Sequence, residues 1–300
     1  MPEARQSFST IGLEPAALPD AVSPDPQVFD QLLGQLRRSH RVTVLTGAGC
    51  STESGIPDYR AADGRWKGRQ PIQYADFMRS TAMRRRYWAR SMVGWPVVAA
   101  AQPNAAHAAL ATLERDGPVQ RLISQNVDGL HGRAGSRDVI DLHGRLDQVV
   151  CLDCAALMSR ADYQVRLLDR NPGWQQSGVT APDGDADLPE DAYEGFRIVD
   201  CDRCGGLLKP DVVFFGENVP RPRVEDAFAE LDASDCLLVA GSSLMVWSGY
   251  RFVRRARARD IPVLIVGLGR TRGDDDASIR LQGRCGDVLP RLARELTKPR

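Results

Sequence analysis

The sequence has no net charge that would draw it to nucleic acid or to an anionic membrane. Its 39 lysines and arginines are balanced by 39 aspartates and glutamates, so no overall field attracts a polyanion. No stretch approaches the roughly 18 apolar residues that cross a bilayer. The amino-terminal residues lack an apolar segment after a basic start, and they are too acidic and proline-rich for an organelle transit peptide. We therefore expect a cytoplasmic protein without a nucleic-acid or membrane partner.

The seven cysteines are an odd number, which argues against a simple disulfide framework. Four of them form two Cys-x-x-Cys pairs, Cys151 with Cys154 and Cys201 with Cys204, separated by 46 residues. In a reducing compartment this pattern indicates a metal site. Four thiolates close a tetrahedral site, so we predict one structural Zn²⁺. A redox role for the pairs is the alternative, and the gap is longer than the common zinc-ribbon spacing.

Strand-like and helical patterns alternate along most of the chain. Apolar, mostly β-branched runs predict strands at residues 42–45, 119–124, 139–142, 212–215, 237–240 and 263–266. Helical spacing of apolar residues predicts helices at 26–39, 74–101, 105–115, 224–231 and 250–259. This alternation predicts an α/β fold with a doubly wound parallel sheet of Rossmann-like type, interrupted by the cysteine module.

A glycine turn, Gly47-Ala48-Gly49, follows the first predicted strand. Such a turn is typical of a phosphate site when a helix comes next. It departs from the G-x-G-x-x-G fingerprint, and Trp66 and Lys67 stand where a dinucleotide-binding dehydrogenase has an acidic residue. A hydride-transferring dehydrogenase is therefore disfavoured. By itself the turn is equally compatible with a tight strand-to-helix connection.

Five segments resemble motifs of the sirtuin family, in the family's order. They are residues 47–60 (GAGCSTESGIPDYR), 125–131 (QNVDGLH), 142–144 (LHG), 209–217 (KPDVVFFGE) and 241–244 (GSSL). The cysteine pairs lie between or beside them as in that family. The resemblance extends from about residue 30 to 290. Residues 74–95 and 247–250 look most like the class II, mitochondrial-sirtuin-4-like branch.

The resemblance implies a particular division of the chain. Residues 1–24 would be a flexible amino-terminal arm, and residues 25–300 would be the sirtuin catalytic domain. Its large Rossmann-like part would comprise about 25–60, 102–145 and 208–300. Its small part would combine a helical module, about 61–101, with a zinc-ribbon module, about 146–207.

The activity that the resemblance implies is NAD-dependent removal of acyl groups from protein lysine, with release of nicotinamide and O-acyl-ADP-ribose. The substrates would be acyl-lysine proteins or peptides. His143 would be the general base, since an imidazole titrates near neutrality and can accept a ribose hydroxyl proton. Asn126 and Asp128 would be catalytic as well, by helping to expel nicotinamide. A lone histidine is more often a capping or core residue, and only the motif around His143 reverses that interpretation.

The resemblance also implies binding residues. Those for NAD would be Gly47, Ala48, Gly49, Ser51, Asp58, Tyr59, Arg60, Gln125, Asn126, Asp128, His143, Gly241, Ser242, Ser243, Gly267, Leu268, Gly269 and Cys285. Backbone N–H groups and a helix dipole at the glycine turn would favour the pyrophosphate. The peptide would be held as an added β-strand by Phe215, Gly216, Glu217, Leu244, Met245 and Val246.

Tyr87 and Arg90 are three residues apart and share a helix face. In a related branch such a pair reads the carboxylate of succinyl-type acyl groups, so we predict a preference for acidic or bulky acyl chains. Core or surface roles are equally compatible with the pattern.

The sequence departs from the family at three positions. Gly267 stands where many sirtuins have an asparagine, Ser248 replaces a frequent proline, and Cys285 lies where a residue approaches adenine. Two other functions stay open: protein mono-ADP-ribosyl transfer, and non-catalytic NAD binding by a zinc protein.

Overall fold

The structure is a computed structural model that describes residues 22–58, 65, 71–180 and 184–298. The calls on Tyr59 and Arg60, and most of the amino-terminal arm, lie outside these residues. In chain order the strands are β1 (Val42–Thr46), β2 (Val119–Ser124), β3 (Val139–Asp141), β4 (Gly144–Cys151), β5 (Leu157–Ser159), β6 (Val179–Thr180), β7 (Ala186–Asp187), β8 (Leu208–Val212), β9 (Cys236–Ala240), β10 (Val263–Gly267) and β11 (Ile279–Gln282).

The α-helices of the described residues are numbered in the same way. They are α1 (Pro26–Arg38), α2 (Tyr74–Arg79), α3 (Thr81–Ala100), α4 (Ala105–Asp116), α5 (Leu130–Arg133), α6 (Arg160–Arg170), α7 (Arg221–Asp232), α8 (Trp247–Ala258) and α9 (Cys285–Leu296). Helix starts follow local chemistry: the Asp25 carboxylate caps α1, where proline occupies the first turn, and the Asn104 side chain caps α4. Both caps satisfy backbone N–H groups that have no partner within the helix.

A six-stranded parallel sheet in the order β11-β10-β9-β1-β2-β3 forms the centre of the large part. Every residue of β1, β9 and β10 is buried, as expected for strands that are covered on both faces. One core cluster joins the sheet to α1, α4 and α9, and a second joins its other face to α7 and α8. The predicted doubly wound parallel sheet is confirmed.

A second, smaller part is built on an antiparallel sheet in the order β5-β4-β8. Helices α2, α3 and α6 surround its own core, which includes the aromatic side chains of Phe77, Trp88 and Tyr163. The β6–β7 pair packs against α3. There, a Cβ on Gly94 would lie 2.3 Å from the Gly184 carbonyl oxygen, so only glycine fits this crossing.

Two predicted elements differ in the structure. The helix predicted at 74–101 is two helices, because Ser80 ends α2 and its hydroxyl caps α3 by accepting from the Met83 N–H at 3.2 Å. The run at 212–215 is not a strand of the parallel sheet. The strand there is β8, which ends at Val212 and pairs with β4 in the small antiparallel sheet.

No helix in the described part of the chain is both long and apolar enough to cross a bilayer.

Candidate active site

A cavity of about 620 Å³ lies at the carboxyl ends of β1, β2, β3 and β9 and extends to the wall of the small sheet. Its size is within the usual range for small-molecule sites. The chain passes from β1 outward through β2 and β3 on one side, and β9 lies on the other side of β1. Crevices at such a change of direction are where open parallel sheets bind ligands.

The glycine turn after β1 packs directly on the loop after β9. The Gly49 N–H donates to the Gly241 carbonyl oxygen at 2.8 Å. A Cβ on Gly49 would lie 2.8 Å from that oxygen, and one on Gly47 would lie 2.8 Å from the Ser242 Cβ. Glycine is required at both positions because the two loops touch. All four residues line the cavity.

The helix that usually follows a glycine turn of this kind is absent from the described residues. The chain instead makes two short 3₁₀ turns, at Ala48–Cys50 and Thr52–Ser54. A single tight turn aligns too few peptide groups to give a helix macrodipole. The expected contribution of a helix dipole at Gly47, Ala48 and Gly49 is therefore wrong, and individual backbone N–H groups remain.

The loop after β2 brings amide and carboxylate side chains to the glycine turn. The Gln125 amide donates to the Ser242 hydroxyl at 2.8 Å and to the Thr46 carbonyl at 3.0 Å. The Asn126 amide donates to the Gly47 carbonyl and to the Ser51 hydroxyl, which itself donates to the Asp128 carboxylate at 2.7 Å. These contacts hold the loops after β1, β2 and β9 in one arrangement.

His143 lies between β3 and β4, where the chain leaves the parallel sheet for the small one. Its Nδ1 lies 2.8 Å from the Gln125 carbonyl oxygen and its Nε2 lies 2.8 Å from the Ser248 Oγ. A carbonyl oxygen only accepts, so Nδ1 carries the proton. The neutral ring then has its lone pair on Nε2, where the Ser248 hydroxyl donates to it. The structure thus presents a base of defined tautomer in the cavity wall.

The pKa of His143 is lowered, chiefly because burial removes water from the charged imidazolium. The Gln125 carbonyl opposes this change, whereas the positive charges of Arg251 and Arg223 add to it. Because its pKa lies below the ordinary value, the ring stays neutral, and able to accept a proton, at neutral pH.

This lowered pKa predicts where activity is lost in acid. The neutral form is the active one, so kcat/KM is expected to be constant above about pH 6.5 and to fall only below it. Steady-state kinetics from pH 5 to 9 with an acylated peptide would measure the profile. A decrease centred above pH 6.5 would contradict the burial of the base.

Acid unfolding must be measured in parallel, because His131 is buried as a neutral ring and its protonation at low pH would destabilise the fold. Burial lowers the pKa of His131 to about 3. Its contribution to stability is complete above about pH 6.5 and decreases as pH falls towards 3. Circular dichroism over the same pH range therefore separates titration of the base from loss of fold.

The two segments expected to bind a peptide both border the cavity. Phe215, Gly216 and Glu217 follow β8, and Leu244, Met245 and Val246 precede α8; all six line the cavity. The Glu217 carboxylate pairs with the Lys209 ammonium at 3.1 Å and accepts from the Phe214 N–H at 2.8 Å. These contacts fix the first segment.

Of the other residues expected at the cofactor, most border the same cavity. They are Asp58, Ser243, Gly267, Leu268 and Cys285. Gly269 is not in the wall as described; its carbonyl oxygen accepts from the Arg280 guanidinium at 2.6 Å and from the Gln282 amide at 3.3 Å. Its place among the cavity residues is therefore not supported.

Tyr87 and Arg90 are in a different place from the one expected for acyl recognition. In the described structure neither lines the cavity. The Tyr87 ring packs 5.1 Å from the Phe214 ring, behind the wall. The Arg90 guanidinium is 4% exposed, donates to the Ala186 carbonyl at 2.8 Å and lies 3.9 Å from the Asp185 carboxylate. The prediction is corrected: Arg90 joins α3 to the β6–β7 segment.

The four cysteines of the Cys-x-x-Cys pairs meet at the end of the small sheet. Their sulfur atoms all lie within 4.8 Å of one another, with Cys151 to Cys204 at 3.5 Å and Cys154 to Cys201 at 3.8 Å. Zn–S bonds of about 2.3 Å in a tetrahedron place sulfurs about 3.8 Å apart. The four thiols are positioned to bind one structural Zn²⁺, and the predicted cluster is confirmed.

Two residues of the wall were not predicted to act at the site. Ser248 contacts His143 Nε2, and Arg251 lines the cavity one turn further along α8. The replacement of a frequent proline by Ser248 was the available signal. No local pattern pointed to Arg251.

Comparison with known proteins supports the resemblance to the sirtuin family along most of the chain. The Sir2 family pattern matches residues 47–248. The "NAD-dependent protein deacetylase" of Xanthomonas axonopodis pv. citri is 54% identical over 255 residues, covering 85% of this chain and 87% of the relative. The bovine "NAD-dependent protein lipoamidase sirtuin-4, mitochondrial" is 47% identical, covering 91% and 88%, which agrees with the branch inferred from the motifs.

Solved structures agree with these relatives. The chain described under "Structural Basis for the Mechanism and Regulation of Sir2 Enzymes" superposes with a TM-score of 0.71 at 33% identity, covering 90% of this chain and 98% of that one. The complex "Sir2-p53 peptide-NAD+" gives a TM-score of 0.70 at 29% identity, with 89% and 98% covered. With the family pattern, the close relatives and the fold in agreement, the chain belongs to the Sir2 family, the sirtuins.

Proposed function

We propose that this chain is an NAD-dependent protein-lysine deacylase that releases nicotinamide and O-acyl-ADP-ribose. The observation that carries the proposal is the shared cavity: the His143 base and the Asn126–Ser51–Asp128 network line the same space. A protein that only binds NAD would not need a base of fixed tautomer in the wall of this cavity. Relatives named as NAD-dependent protein deacetylases support the activity.

The loops at the carboxyl ends of the sheet fit a dinucleotide. Close contact of Gly47 and Gly49 with Gly241 leaves a smooth backbone surface beside the hydroxyls of Ser242 and Ser243. Backbone N–H and serine hydroxyl groups are good donors to a pyrophosphate. Gln125, Asn126 and Asp128 would then lie at the nicotinamide end, and Gly267, Leu268 and Cys285 at the adenosine end. Ser51 and Asp58 line the cavity after the glycine turn and would contact the ligand; the resemblance to the family extends this role to Tyr59 and Arg60.

NAD supplies, when bound, an electrophilic ribose carbon with nicotinamide as its leaving group. The protein's part is positioning and proton transfer. Gln125 holds the Nδ1 proton of His143 through its carbonyl, which leaves Nε2 to accept a proton from a ribose hydroxyl. The Ser248 hydroxyl occupies that lone pair in the structure, so the ribose hydroxyl replaces it when the ligand binds. A positioned base contributes about 10²- to 10⁴-fold to rate.

The peptide would enter from the side of the small sheet. Phe215, Gly216 and Glu217 on one wall and Leu244, Met245 and Val246 on the other would hold it as an added strand. Main-chain hydrogen bonds make such binding tolerant of sequence. The acyl-lysine side chain would reach His143 between the two walls, in the cleft between the large part and the small helical and zinc parts. A cytoplasmic location remains part of this proposal.

Product analysis tests the proposal directly. The purified chain, NAD and an acetyl-lysine peptide are expected to give free lysine peptide, nicotinamide and O-acetyl-ADP-ribose in equal amounts by mass spectrometry. ADP-ribosylated protein without deacylated peptide would instead identify a mono-ADP-ribosyltransferase. Binding of NAD without any product would identify a non-catalytic protein.

A further inference from the structure

Ser248 places a hydroxyl group in direct contact with the base of the cavity. Its Oγ lies 2.8 Å from His143 Nε2, and the other ring nitrogen, Nδ1, donates to the Gln125 carbonyl oxygen at 2.8 Å. A serine bonded to a base whose second nitrogen is held by an acceptor is the arrangement that activates serine for acyl transfer. Burial lowers the pKa of His143, so the ring is neutral and can take the serine proton at neutral pH.

The position of Ser248 leaves it accessible to a small molecule. The residue is half-buried and lines the cavity together with His143. Among the described residues, its hydroxyl has no hydrogen-bond partner other than the imidazole. A serine that served only to satisfy the lone pair of a buried histidine would not need to border a cavity. The pair therefore meets the first geometric requirement of a nucleophile and its base, which is contact beside a space that can hold a substrate.

The backbone around Ser248 supplies hydrogen-bond donors as well. Ser248 is the second residue of α8, a helix of 12 residues whose start has no side-chain cap. In the described part of the chain, the N–H groups of Trp247 and Ser248 have no acceptor. Free N–H groups at a helix start favour negative charge. Such donors beside a nucleophile can stabilise the oxygen that becomes negative when a carbonyl carbon is attacked.

The same cavity offers surface for both parts of an ester. Val213 lies beside the base, since its N–H donates to the His143 carbonyl oxygen at 2.8 Å, and Leu146 follows three residues after the base; both line the cavity. These apolar side chains suit an acyl chain. Trp247, next to Ser248, also lines the cavity and is 58% exposed, so a leaving group on that side would reach solvent.

We propose that Ser248 and His143 form a second catalytic centre, which hydrolyses acyl esters without NAD. This activity is distinct from the deacylase function proposed above, although both use His143. The Ser248 oxygen bonds to the acyl carbon while its proton passes to His143 Nε2. The bond from the acyl carbon to the alcohol oxygen breaks, and that oxygen takes the proton. Water then attacks the acyl-serine and gives a proton to the same nitrogen, and the carboxylic acid leaves as this proton returns to the serine oxygen.

The experiment measures hydrolysis of 4-nitrophenyl acetate in the absence of NAD. Saturable hydrolysis is expected for the wild type, and kcat/KM is expected to fall about 10²-fold or more in both Ser248→Ala and His143→Gln, because a positioned base and its nucleophile act together. A fluorophosphonate probe, which reacts with activated serines, should label Ser248, as located by peptide mapping with mass spectrometry. The label should be lost in both variants.

His40→Gln is the matched control, because His40 is an exposed imidazole away from the cavity and would contribute only unsaturable background hydrolysis. Ser248→Cys retains a nucleophile at this position and should accumulate an acetyl group there, which keeps the test valid if the alanine variant does not fold. Melting temperature and zinc content establish the fold of each variant. Wild-type hydrolysis that does not saturate, full activity in folded Ser248→Ala, or a label on another residue would each overturn the proposal. Failure to deacylate a peptide with NAD would count against the deacylase function alone.

Discussion

Replacement of His143 by glutamine is expected to lower kcat/KM for deacylation by about 10²- to 10⁴-fold. Glutamine retains a polar side chain that can reach Gln125 and Ser248, but it cannot accept a proton near neutral pH. The loss therefore measures base catalysis, for which this is the usual range. Peptide deacylation and nicotinamide release, followed by mass spectrometry, give the rate.

The variant should otherwise resemble the wild type. The His143 ring lies in the cavity wall rather than in a core cluster, so zinc content and melting temperature should be preserved. His40→Gln is the control, because His40 is exposed at the end of α1, away from the cavity. Retention of wild-type turnover by the His143 variant would remove the base from the mechanism.

Replacement of Cys151 and Cys154 by serine is expected to abolish zinc binding and most of the activity. Structural zinc contributes about 10–16 kcal/mol of binding free energy in small zinc-finger peptides, which is comparable with the whole stability of a typical domain. We expect bound zinc to fall from one ion per chain to none, with a lower melting temperature. Metal analysis and calorimetry measure the two effects.

The loss of activity has a structural cause. Strand β4 runs from the residue after His143 to Cys151, and β8 leads from the second cysteine pair to the peptide-side wall. The Val213 N–H donates to the His143 carbonyl oxygen at 2.8 Å. A Zn²⁺ ion held by the four cysteines would therefore link the far ends of β4 and β8, the two strands next to the base and the peptide-side wall. Cys236→Ala, in β9 and outside the cluster, should keep its zinc. Full zinc occupancy in the double serine variant would refute the assignment.

Local sequence predicted those features that depend on neighbours in the chain. Cys-x-x-Cys spacing predicts two ligands from one turn, and continuous apolar runs predict the buried strands β1, β9 and β10. The loops that follow these strands gather at one edge because the strands are parallel, so the motifs at 47–49, 125–128 and 241–243 could be expected to meet there.

Predictions that depended on distant contacts were less successful. The helical periodicity around Tyr87 and Arg90 was correct for α3, but it could not show that the Ala186 carbonyl, 96 residues away in sequence, binds the Arg90 guanidinium. The glycine turn was recognised, but the local sequence could not show that it packs on Gly241 and continues into two short 3₁₀ turns.

The sequence by itself indicated the family, the four metal ligands and five strands of the parallel sheet, β1, β2, β3, β9 and β10, because each depends on residue types at fixed local spacing. Only the tertiary structure decided the environment of the base. The Ser248 hydroxyl and the His143 ring are 105 residues apart in sequence, and they meet only in the folded chain. Tautomer, pKa and charge complementarity arise from atoms brought together by folding, and burial gives those contacts their strength.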